Sequence, residues 1–473
     1  MVLLSRFIIY ISAFFLSLSP GIRFREGVVG QPTSFFPHQS TTQTDQTISN
    51  LIYRGLFKYD IYGTLVPDLA ESWEISEDGL VYTITLKDNQ YWIDGSKIIS
   101  DDLIYTAFKT SSLSAVATDK VDDRIVRYTL PNKFSPFLSL LTDGVMKSQA
   151  EEKENSLRPI SSGQFKVISV KHSGPIVSEI TLYNTNFEQD IRKLTFKFYA
   201  NEEELVTGAK LGEIDGFTLH GSANLENFTD HRFPLQGVYY GLFFNLRNDK
   251  FKDLEFRKKL RASLPVGEII SEHGIPVEGS ISKSIYTKES IKTDHFDPSL
   301  PEEVISQTLT IKIPDLERHE QVAQKIADIW EDKFNMSVEI EKVSPEKIND
   351  EVIKDRNFEV LLYGQEVGRD PDRYVYWHST QKNSPNLNIT GFEQVRADRA
   401  LEEGRKAIEF ADRSVHYNEF QDVIENEAPA IFLYHPFVNY YISNFFTGVG
   451  DKYTFSMGDR FLDFANWQRI NTN

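Results

Sequence analysis

The chain has 473 residues, of which 51 are Lys or Arg and 69 are Asp or Glu, so its formal net charge is −18. Charged residues make up 25% and hydrophobic residues 40% of the chain, which is typical of globular proteins and not of disordered ones. A chain of this length corresponds to about three domain-sized units. The sequence contains no cysteine, which excludes disulfides, thiolate catalysis, zinc–thiolate sites, iron–sulfur clusters and lipid attachment through an N-terminal cysteine. The acidic balance argues against general nucleic-acid binding, because contact with phosphates requires a basic face.

The first residues have the pattern of an export signal. Arg6 precedes an apolar run from Phe7 to Leu18, which is too short for an ordinary membrane span. Adding residues 2–4 lengthens the run, so an uncleaved anchor is an alternative, and a buried helix or a misassigned start codon is another. We expect residues 1–23 to be a signal peptide or an N-terminal anchor, because no other segment approaches membrane-spanning length. The rest of the chain is then expected outside the cytoplasm, in the periplasm or at the cell surface.

Hydrophobic periodicity predicts the elements of the first half of the chain. A short strand at 24–29 is followed by a turn at Gly30 and by a polar loop over 33–47. Apolar residues at helical spacing then predict a helix over 48–59 and another over 101–109. Alternating apolar residues predict further strands at 80–86, 126–130, 180–182 and 194–198.

The second half of the chain is richer in helix. Alternation over 309–313, a helical stripe over 322–334 and a return to alternation over 338–343 predict a βαβ unit with two parallel strands. Residues 360–363 predict a buried strand, and residues 395–427 predict two helices divided near 410–412.

A long stretch of the first half carries a recognisable series of motifs. Residues 65–73 read LVPDLAESW, residues 76–86 read SEDGLVYTITL and residues 92–95 read WIDG. With its flanks from Tyr53 to Phe108, this series resembles the signature region of the family 5 extracytoplasmic solute-binding proteins, which are the peptide- and oligopeptide-binding receptors of ABC importers. The chain departs from the family pattern at Asn89, where the family often has Gly, and at Ile93, where it often has His.

Further blocks of the same pattern follow in the order that the family has them. They lie at residues 158–166, 211–215, 239–260, 364–377 and 427–434. The block at 158–166 has Gln164 where the family has Pro. The resemblance therefore extends over residues 24–470.

The resemblance implies an α/β, two-lobed periplasmic-binding-protein-like fold of class II, with an additional small domain and a ligand cleft between the lobes. The implied domains are residues 24–46 and 155–244 (lobe I), 47–154 (the small α+β domain), 245–437 (lobe II) and 438–473 (the return to lobe I). The chain would cross between the lobes near Asn245 and again within residues 434–440. Ligand binding would close the cleft by a hinge motion, and the closed form would deliver the ligand to the permease subunits in the membrane. We expect a monomer that has no cofactor and no nucleic-acid partner.

The polar candidates for the site lie in one segment. A peptide ligand is a zwitterion, so its site needs an acid for the ammonium and a base for the carboxylate, each of them paired inside a closed cleft. Residues 364–377 (GQEVGRDPDRYVYW) offer both signs of charge. Relatives carry the ammonium-binding acid shortly before the Pro of this segment, in the slot that Val367 occupies here. We therefore place the ammonium anchor on Glu366 or Asp370, and we include Arg369 among the ligand-binding candidates.

Aromatic residues complete the predicted ligand contacts. Tyr374 and Trp377 belong to the same segment, whereas Phe35 and Phe36 follow the first strand, where relatives approach their ligand. Packing in the core is the alternative for all four side chains.

The polar residues of the segment also have structural interpretations. Asp370 and Asp372 flank a Pro, so they could instead cap the helix that follows. We expect Arg369 and Arg373 to be solvated in preference to binding a ligand. We expect His378 to be a structural hydrogen-bonding residue.

Other chemistries find little support in the sequence. There is no phosphate loop and no G-x-S-x-G elbow, and His319-Glu320 begins a zinc motif that ends in Ala323 instead of His. We therefore predict no catalytic residues and no metal site. Within the same fold, a receptor for an oligosaccharide or a nickel chelate is the alternative. An exported hydrolase and a membrane-tethered chaperone or scaffold are alternatives from other classes.

Overall fold

The computed structural model describes residues 21–148, 156–219, 221–277, 279–281, 295–305 and 307–470. The predicted export signal lies almost entirely outside these ranges. No helix within them is both long enough and apolar enough to cross a bilayer. The chain divides into two compact units. Unit 1 comprises the described residues up to Phe233 and those from Val438 onward, and unit 2 comprises those between Pro234 and Phe437.

Strands and helices are labelled here in chain order. The described strands are β1 (Ile22–Val29), β2 (Phe57–Tyr59), β3 (Leu65–Pro67), β4 (Ala70–Ile75), β5 (Val81–Leu86), β6 (Ala117–Lys120), β7 (Ile125–Thr129), β8 (Phe165–Ser173), β9 (Ile176–Asn184), β10 (Ile191–Tyr199), β11 (Gly216–Leu219), β12 (Phe228–Pro234), β13 (Val238–Phe244), β14 (Gly274–Pro276), β15 (Thr308–Pro314), β16 (Ser337–Val343), β17 (Val360–Glu366), β18 (Ala430–Ser443), β19 (Phe446–Thr447) and β20 (Gln468–Arg469). The described α-helices are α1 (Gln43–Ile52), α2 (Ser100–Lys109), α3 (Phe137–Leu140), α4 (Glu202–Lys210), α5 (Leu254–Ala262), α6 (Val266–Ile270), α7 (Glu317–Phe334), α8 (Tyr374–Trp377), α9 (Val395–Lys406) and α10 (Phe410–Glu427).

Unit 1 is built on a mixed sheet. β1 pairs in parallel with β10 and β11, and β8, β9 and β10 form an antiparallel series. The C-terminal part of β18 pairs antiparallel with β11. A separate antiparallel sheet in the order β4-β5-β7-β6 lies in the part of unit 1 that also contains α2. The alternating residues of β1, β5, β7, β9 and β10 therefore form strands as their periodicity predicts.

A buried charged cluster joins the first strand of unit 1 to its C-terminal part. Glu26 on β1 is fully buried, and its carboxylate accepts hydrogen bonds from Arg460 Nε at 2.8 Å and from the Tyr440 hydroxyl at 2.9 Å. Burial raises the pKa of the Glu26 carboxyl against the opposing effect of the Arg460 charge. The partners are distant in sequence, so this cluster contributes to the stability of the unit only once the chain has folded.

The first helix differs from its prediction. We predicted a polar loop over 33–47 and a helix over 48–59, whereas α1 begins at Gln43 and ends at Ile52. The early start has a local cause, because the Thr42 hydroxyl accepts a hydrogen bond from the backbone N–H of Asp45 and caps the helix. Residues 57–59 then pair as β2 with β3. The apolar spacing that suggested a longer helix spans a helix end and a strand.

Unit 2 contains the predicted βαβ unit. β15 and β16 are parallel and are joined by α7, and β15 also pairs in parallel with β17. Val322, Ile326 and Trp330 recur on one face of α7 and are buried in the core of the unit, as the helical stripe predicts. The helix ends at Asn335, which has the left-handed backbone common at helix C-termini. The two predicted C-terminal helices are α9 and α10. They divide at residues 407–409 and not at the predicted 410–412, which form the first turn of α10.

β13 lies between β17 and β18 in the sheet of unit 2. It is antiparallel to both, with Tyr240 opposite Gly364 on one side and Tyr434 on the other. Because β15 and β17 are parallel, their carboxyl ends lie at the same edge of the sheet. Edges of this kind are where α/β proteins place their ligand-binding residues.

Candidate functional site

The 364–377 segment leaves the sheet of unit 2 at the carboxyl end of β17 and leads into α8. Its fold is organised by Arg373, whose side chain is 1% exposed. The guanidinium donates hydrogen bonds to the backbone carbonyls of Asp370 at 2.7 Å and Asp372 at 3.2 Å, and to that of Ser280 at 2.9 Å. Our expectation that Arg373 is solvated is therefore wrong. The carbonyls of a tight turn converge on one point, and a buried guanidinium satisfies them there.

The two aspartates of the segment each have a protein partner. Asp370 Oδ1 lies 2.8 Å from Nη2 of Arg413, whose side chain is 3% exposed. Asp372 Oδ2 lies 2.7 Å from Nε of Arg405. Asp372 Oδ1 also accepts a hydrogen bond from the backbone N–H of Tyr374, the first residue of α8. The N-cap position is Arg373, which has no side-chain cap, so Asp372 closes the turn before the helix and does not cap it. Both carboxylates are held in place by cations from other helices.

Glu366 is placed differently from the aspartates. It is the last residue of β17, and its side chain is exposed. Its carboxylate forms no hydrogen bond or ion pair with any of the described residues. Its backbone carbonyl accepts a hydrogen bond from the Tyr376 hydroxyl at 2.6 Å. Next to it, Val367 is buried, and its N–H is bonded to the Gly237 carbonyl at 2.8 Å. Arg369 is half-buried in the same segment.

The aromatic candidates pack inside their own units. Trp377 is buried against Phe243 and Phe392 in unit 2. Phe35 and Phe36 are buried in the core of unit 1. Their role in ligand binding stays a prediction, and the geometry supplies each with core packing.

Tyr374 is half-buried between two neighbours. Its ring stacks on the His378 ring, with 4.0 Å between the centroids. The guanidinium of Arg405, which belongs to α9, lies 4.2 Å from the centroid of the Tyr374 ring. His378 contacts Thr380 through Nδ1 at 2.9 Å and Glu402 through Nε2 at 3.2 Å. The prediction of a structural role for His378 is confirmed.

A cluster that the sequence analysis did not select lies in the same unit. It consists of Tyr240 on β13, Tyr434 on β18 and His319 in the first turn of α7, and we call it the aromatic–histidine cluster. The rings of Tyr240 and Tyr434 stack at 5.0 Å, and the His319 ring lies 4.9 Å from Tyr240. Tyr240 lies so close to Gly364 that a Cβ there would be 2.8 Å from the ring. Both tyrosines belong to sequence blocks that resemble the family, at residues 239–260 and 427–434. Membership of these blocks is the sequence signal that could have identified them as site candidates.

The polar atoms of this cluster have an unusual electrostatic setting. His319 and Tyr434 are buried, and within the described residues neither ring nitrogen of His319 nor the Tyr434 hydroxyl has a hydrogen-bond partner. Burial, with a smaller effect of the neighbouring Arg318 charge, lowers the pKa of His319 to about 4. Burial also raises the pKa of the Tyr434 hydroxyl. Both groups are therefore neutral near pH 7 and can exchange hydrogen bonds with a polar ligand or with water.

No metal centre is apparent in the parts of the chain that the structure describes. Groups of three or more His, Asp or Glu side chains able to hold an ion do not occur there. The arrangement at this edge of unit 2 can therefore bind through stacking, neutral hydrogen bonds and the carboxylate of Glu366.

Comparison with known proteins finds relatives over most of the chain. The chain is 23% identical over 471 aligned residues to the oligopeptide-binding protein AppA of Bacillus subtilis, covering 87% of this chain and 85% of the relative. It is 21% identical to the oligopeptide-binding protein OppA of the same organism, with 85% of this chain and 86% of the relative covered.

Solved structures share the fold. The substrate-binding protein CtaP of Listeria monocytogenes superposes with a TM-score of 0.77 at 20% identity, over 95% of this chain and all (100%) of that one. AppA of B. subtilis in complex with a nonapeptide has a TM-score of 0.69 at 19% identity, over 95% and 99%. NikZ of Campylobacter jejuni in complex with Ni(L-His) has a TM-score of 0.73 at 20% identity, over 95% and 100%. The predicted α/β periplasmic-binding-protein-like fold is thereby confirmed.

A family model also matches the larger part of the chain. It is described as bacterial extracellular solute-binding proteins, family 5 Middle, and it covers residues 64–386. This range includes the small antiparallel sheet of unit 1, the βαβ unit and the 364–377 segment. The chain belongs to the family 5 bacterial extracellular solute-binding proteins.

Proposed function

We propose that this protein is the extracytoplasmic substrate-binding receptor of an ABC importer, that it captures peptides between two lobes that close by a hinge motion, and that it passes them to a membrane permease. The proposal rests on the family match over residues 64–386. It also rests on two relatives that are named oligopeptide-binding proteins and that align with this chain over most of their length. The domain assignment made from the sequence, with a small domain at 47–154, and the monomeric state belong to the same proposal.

Glu366 is the proposed anchor for the ligand's ammonium group. Of the two candidates, Asp370 is already paired with the buried Arg413, and using it to bind a ligand would break that ion pair. Glu366 has an exposed carboxylate at the carboxyl end of β17. Because Val367 fills the family's usual acidic slot, a peptide is bound here with its ammonium displaced by one residue from that slot.

The aromatic–histidine cluster is the proposed contact surface for the peptide backbone or an apolar side chain. Tyr240 is half-buried and stacks on the buried Tyr434. The Tyr434 hydroxyl and the His319 imidazole, which have no hydrogen-bond partner among the described residues, are neutral hydrogen-bonding groups beside it. A site that reads backbone groups and apolar area accepts many sequences, which is what a general peptide receptor requires.

Thermal unfolding with peptides tests the proposal. A peptide at 100 times its dissociation constant adds about 2.7 kcal/mol to stability, which raises the melting temperature by a few degrees. We expect a shift with pooled free peptides that is lost when their amino termini are acetylated and is reduced in Glu366→Gln. Glu302→Gln, which alters another exposed carboxylate of unit 2, is the matched control and should respond like the unaltered protein. If no free peptide shifts the transition of ligand-stripped protein, the peptide assignment is wrong.

A nickel chelate is the second candidate solute. It is favoured by the neighbour NikZ, which was solved with Ni(L-His), and by two histidines near each other in unit 2. Burial lowers the pKa of both His273 and His319, so neutral imidazoles are present near pH 7. Titration of the protein with Ni(L-His) by calorimetry, with His319→Gln as the variant, separates this candidate from peptides.

A further inference from the structure

Unit 2 contains a cavity that shares no residue with the aromatic–histidine cluster or with the 364–377 segment. It lies between α5, α10 and the start of β18 and has a cavity volume of about 40 Å³, which is more than a single water molecule needs. Its walls are largely apolar. They are formed by Leu264, Val266, Val277, Ile424, Ile431 and Phe432.

Three polar side chains in this apolar wall have unsatisfied groups. Ser280 and Gln421 are at least nine-tenths buried and line the cavity, and within the described residues neither Ser280 Oγ nor Gln421 Nε2 has a hydrogen-bond partner. Arg261, also in the wall, has a buried Nε without a partner there, while its Nη1 is bonded to the Glu425 carbonyl at 2.7 Å. Leaving such groups unpaired costs about 1–3 kcal/mol each, so their meeting in one cavity indicates an occupant.

The chemistry of the three groups defines the occupant. The Arg261 Nε–H and the Gln421 amide are donors, and the Ser280 hydroxyl can donate as well. One acidic side chain, Glu425, lies in the wall, 4.0 Å from His295. A ligand that satisfies the wall therefore has an acceptor oxygen for the three donors and an apolar body for the remaining surface.

We propose that this cavity is a second binding site, separate from the solute site, for a small apolar molecule that carries a carboxylate or amide carbonyl oxygen. The oxygen meets the donors of Arg261, Ser280 and Gln421, and the hydrocarbon part fills the space against Ile424 and Ile431. The backbone carbonyl of Ser280 is also bound by Arg373, which organises the 364–377 segment. The site thus adjoins the scaffold of the proposed anchor without containing it, and its existence does not depend on the nature of the transported solute.

Methyl NMR on the full-length protein tests the proposal directly. The δ1 methyl signals of Ile424 and Ile431, assigned through Ile→Val variants, are followed during titration with 4-methylpentanoate, 4-methylpentanamide and 4-methylpentylamine. The first two carry the acceptor oxygen as an anion and as a neutral carbonyl, and the amine keeps the apolar body but has only donors when protonated. We expect saturable shifts of both methyl signals with the acid or the amide and none with the amine.

Variants then connect the binding to the named donors. Ser280→Ala removes the hydroxyl but keeps the carbonyl that Arg373 uses, and Gln421→Leu removes the amide. Each should weaken binding about three- to tenfold, the factor expected from one net hydrogen bond. Gln321→Leu, an exposed glutamine on α7, is the control and should bind like the unaltered protein. Failure of both oxygen-bearing compounds to shift the two methyl signals, equal binding of the amine, or full affinity in both Ser280→Ala and Gln421→Leu would each overturn the proposal.

Discussion

The pairing of Asp370 with Arg413 allows structural and ligand-binding roles to be separated within one segment. Arg413 is buried on α10, and besides Asp370 at 2.8 Å its guanidinium Nη2 contacts the Tyr417 hydroxyl at 3.2 Å. Asp370→Ala removes the carboxylate that is ion-paired with this buried cation. Removing one partner of a buried ion pair costs about 3–5 kcal/mol. Asp370→Asn keeps an oxygen acceptor and loses only the charge, so we expect roughly 1–2 kcal/mol for it.

Two further variants, Arg413→Met and Glu366→Gln, separate the effect of the ion pair on stability from the effect of the ligand anchor on binding. Arg413→Met added to Asp370→Ala removes the buried cation as well, so the double variant should recover part of the loss, with an interaction energy of about 1–3 kcal/mol in the cycle. Glu366→Gln changes an exposed side chain and should alter stability by less than about 0.5 kcal/mol. For peptide affinity the order should be reversed, with Glu366→Gln impaired and Asp370→Asn close to the unaltered protein.

Urea unfolding followed by tryptophan fluorescence gives the stabilities, because Trp377 lies in the affected segment and Trp330 in the core of the same unit. A change of midpoint at constant slope reports a change in stability. Calorimetric titration with a peptide gives the affinities. If Asp370→Ala unfolds at the same urea concentration as the unaltered protein but no longer binds peptide, then Asp370 is the ligand anchor and the present assignment of Glu366 is refuted.

Three further predictions follow from buried contacts. The folded-state pKa of His319 is lowered from 6.5 to about 4, so the stability it contributes is present above pH 6.5 and is lost as the pH falls towards 4, by about 3 kcal/mol in all. In the unaltered protein, the urea midpoint should therefore fall as the pH is lowered over this range. An equal dependence of the midpoint on pH in His319→Gln would contradict this role of His319. Gly364→Ala puts a Cβ 2.8 Å from the Tyr240 ring, so we expect a loss of about 1–3 kcal/mol from overpacking and weaker solute binding; calorimetry that finds unchanged affinity would remove Tyr240 from the site. Arg460→Met leaves the Glu26 carboxylate buried without its cation, which should cost about 3–5 kcal/mol in thermal or urea unfolding, and Glu26→Gln added to it should restore part of that loss; an additive double variant would show that the two groups are not coupled.

Local patterns in the sequence predicted much of the architecture. The sequence pattern predicts the βαβ unit of β15, α7 and β16, the strands β1, β5 and β17, and the presence of two C-terminal helices, although not the point where these helices divide. These elements are well predicted because a strand or helix with one buried face repeats its apolar residues at a spacing set by backbone geometry. The boundaries of α1 were missed because the Thr42 hydroxyl caps an earlier start than the apolar spacing suggested, and because residues 57–59 pair with β3 as a strand instead of continuing the helix.

The chemistry of the site was less predictable from its own segment. The residues of 364–377 show which charges are available, but not which are already neutralised. Arg413 lies 43 residues from Asp370 in sequence, and Arg405 lies 33 residues from Asp372. Arg373 was expected in solvent, although the backbone carbonyls of its own turn and of Ser280 enclose it. Side chains of the same type in one segment therefore differ in role through partners that the segment does not contain.

The sequence by itself determined the family, the α/β class and the order of the elements, because motifs and periodicity are written in neighbouring residues. Only the tertiary structure decided which groups are neutral or paired, and which have no hydrogen-bond partner in the described part of the chain, as is the case for the His319 ring nitrogens, the Tyr434 hydroxyl and Gln421 Nε2. Those properties depend on desolvation and on contacts between strands and helices that come together only when the sheet forms. Burial and pairing are properties of the assembled fold, and they select the residues that are available to a ligand.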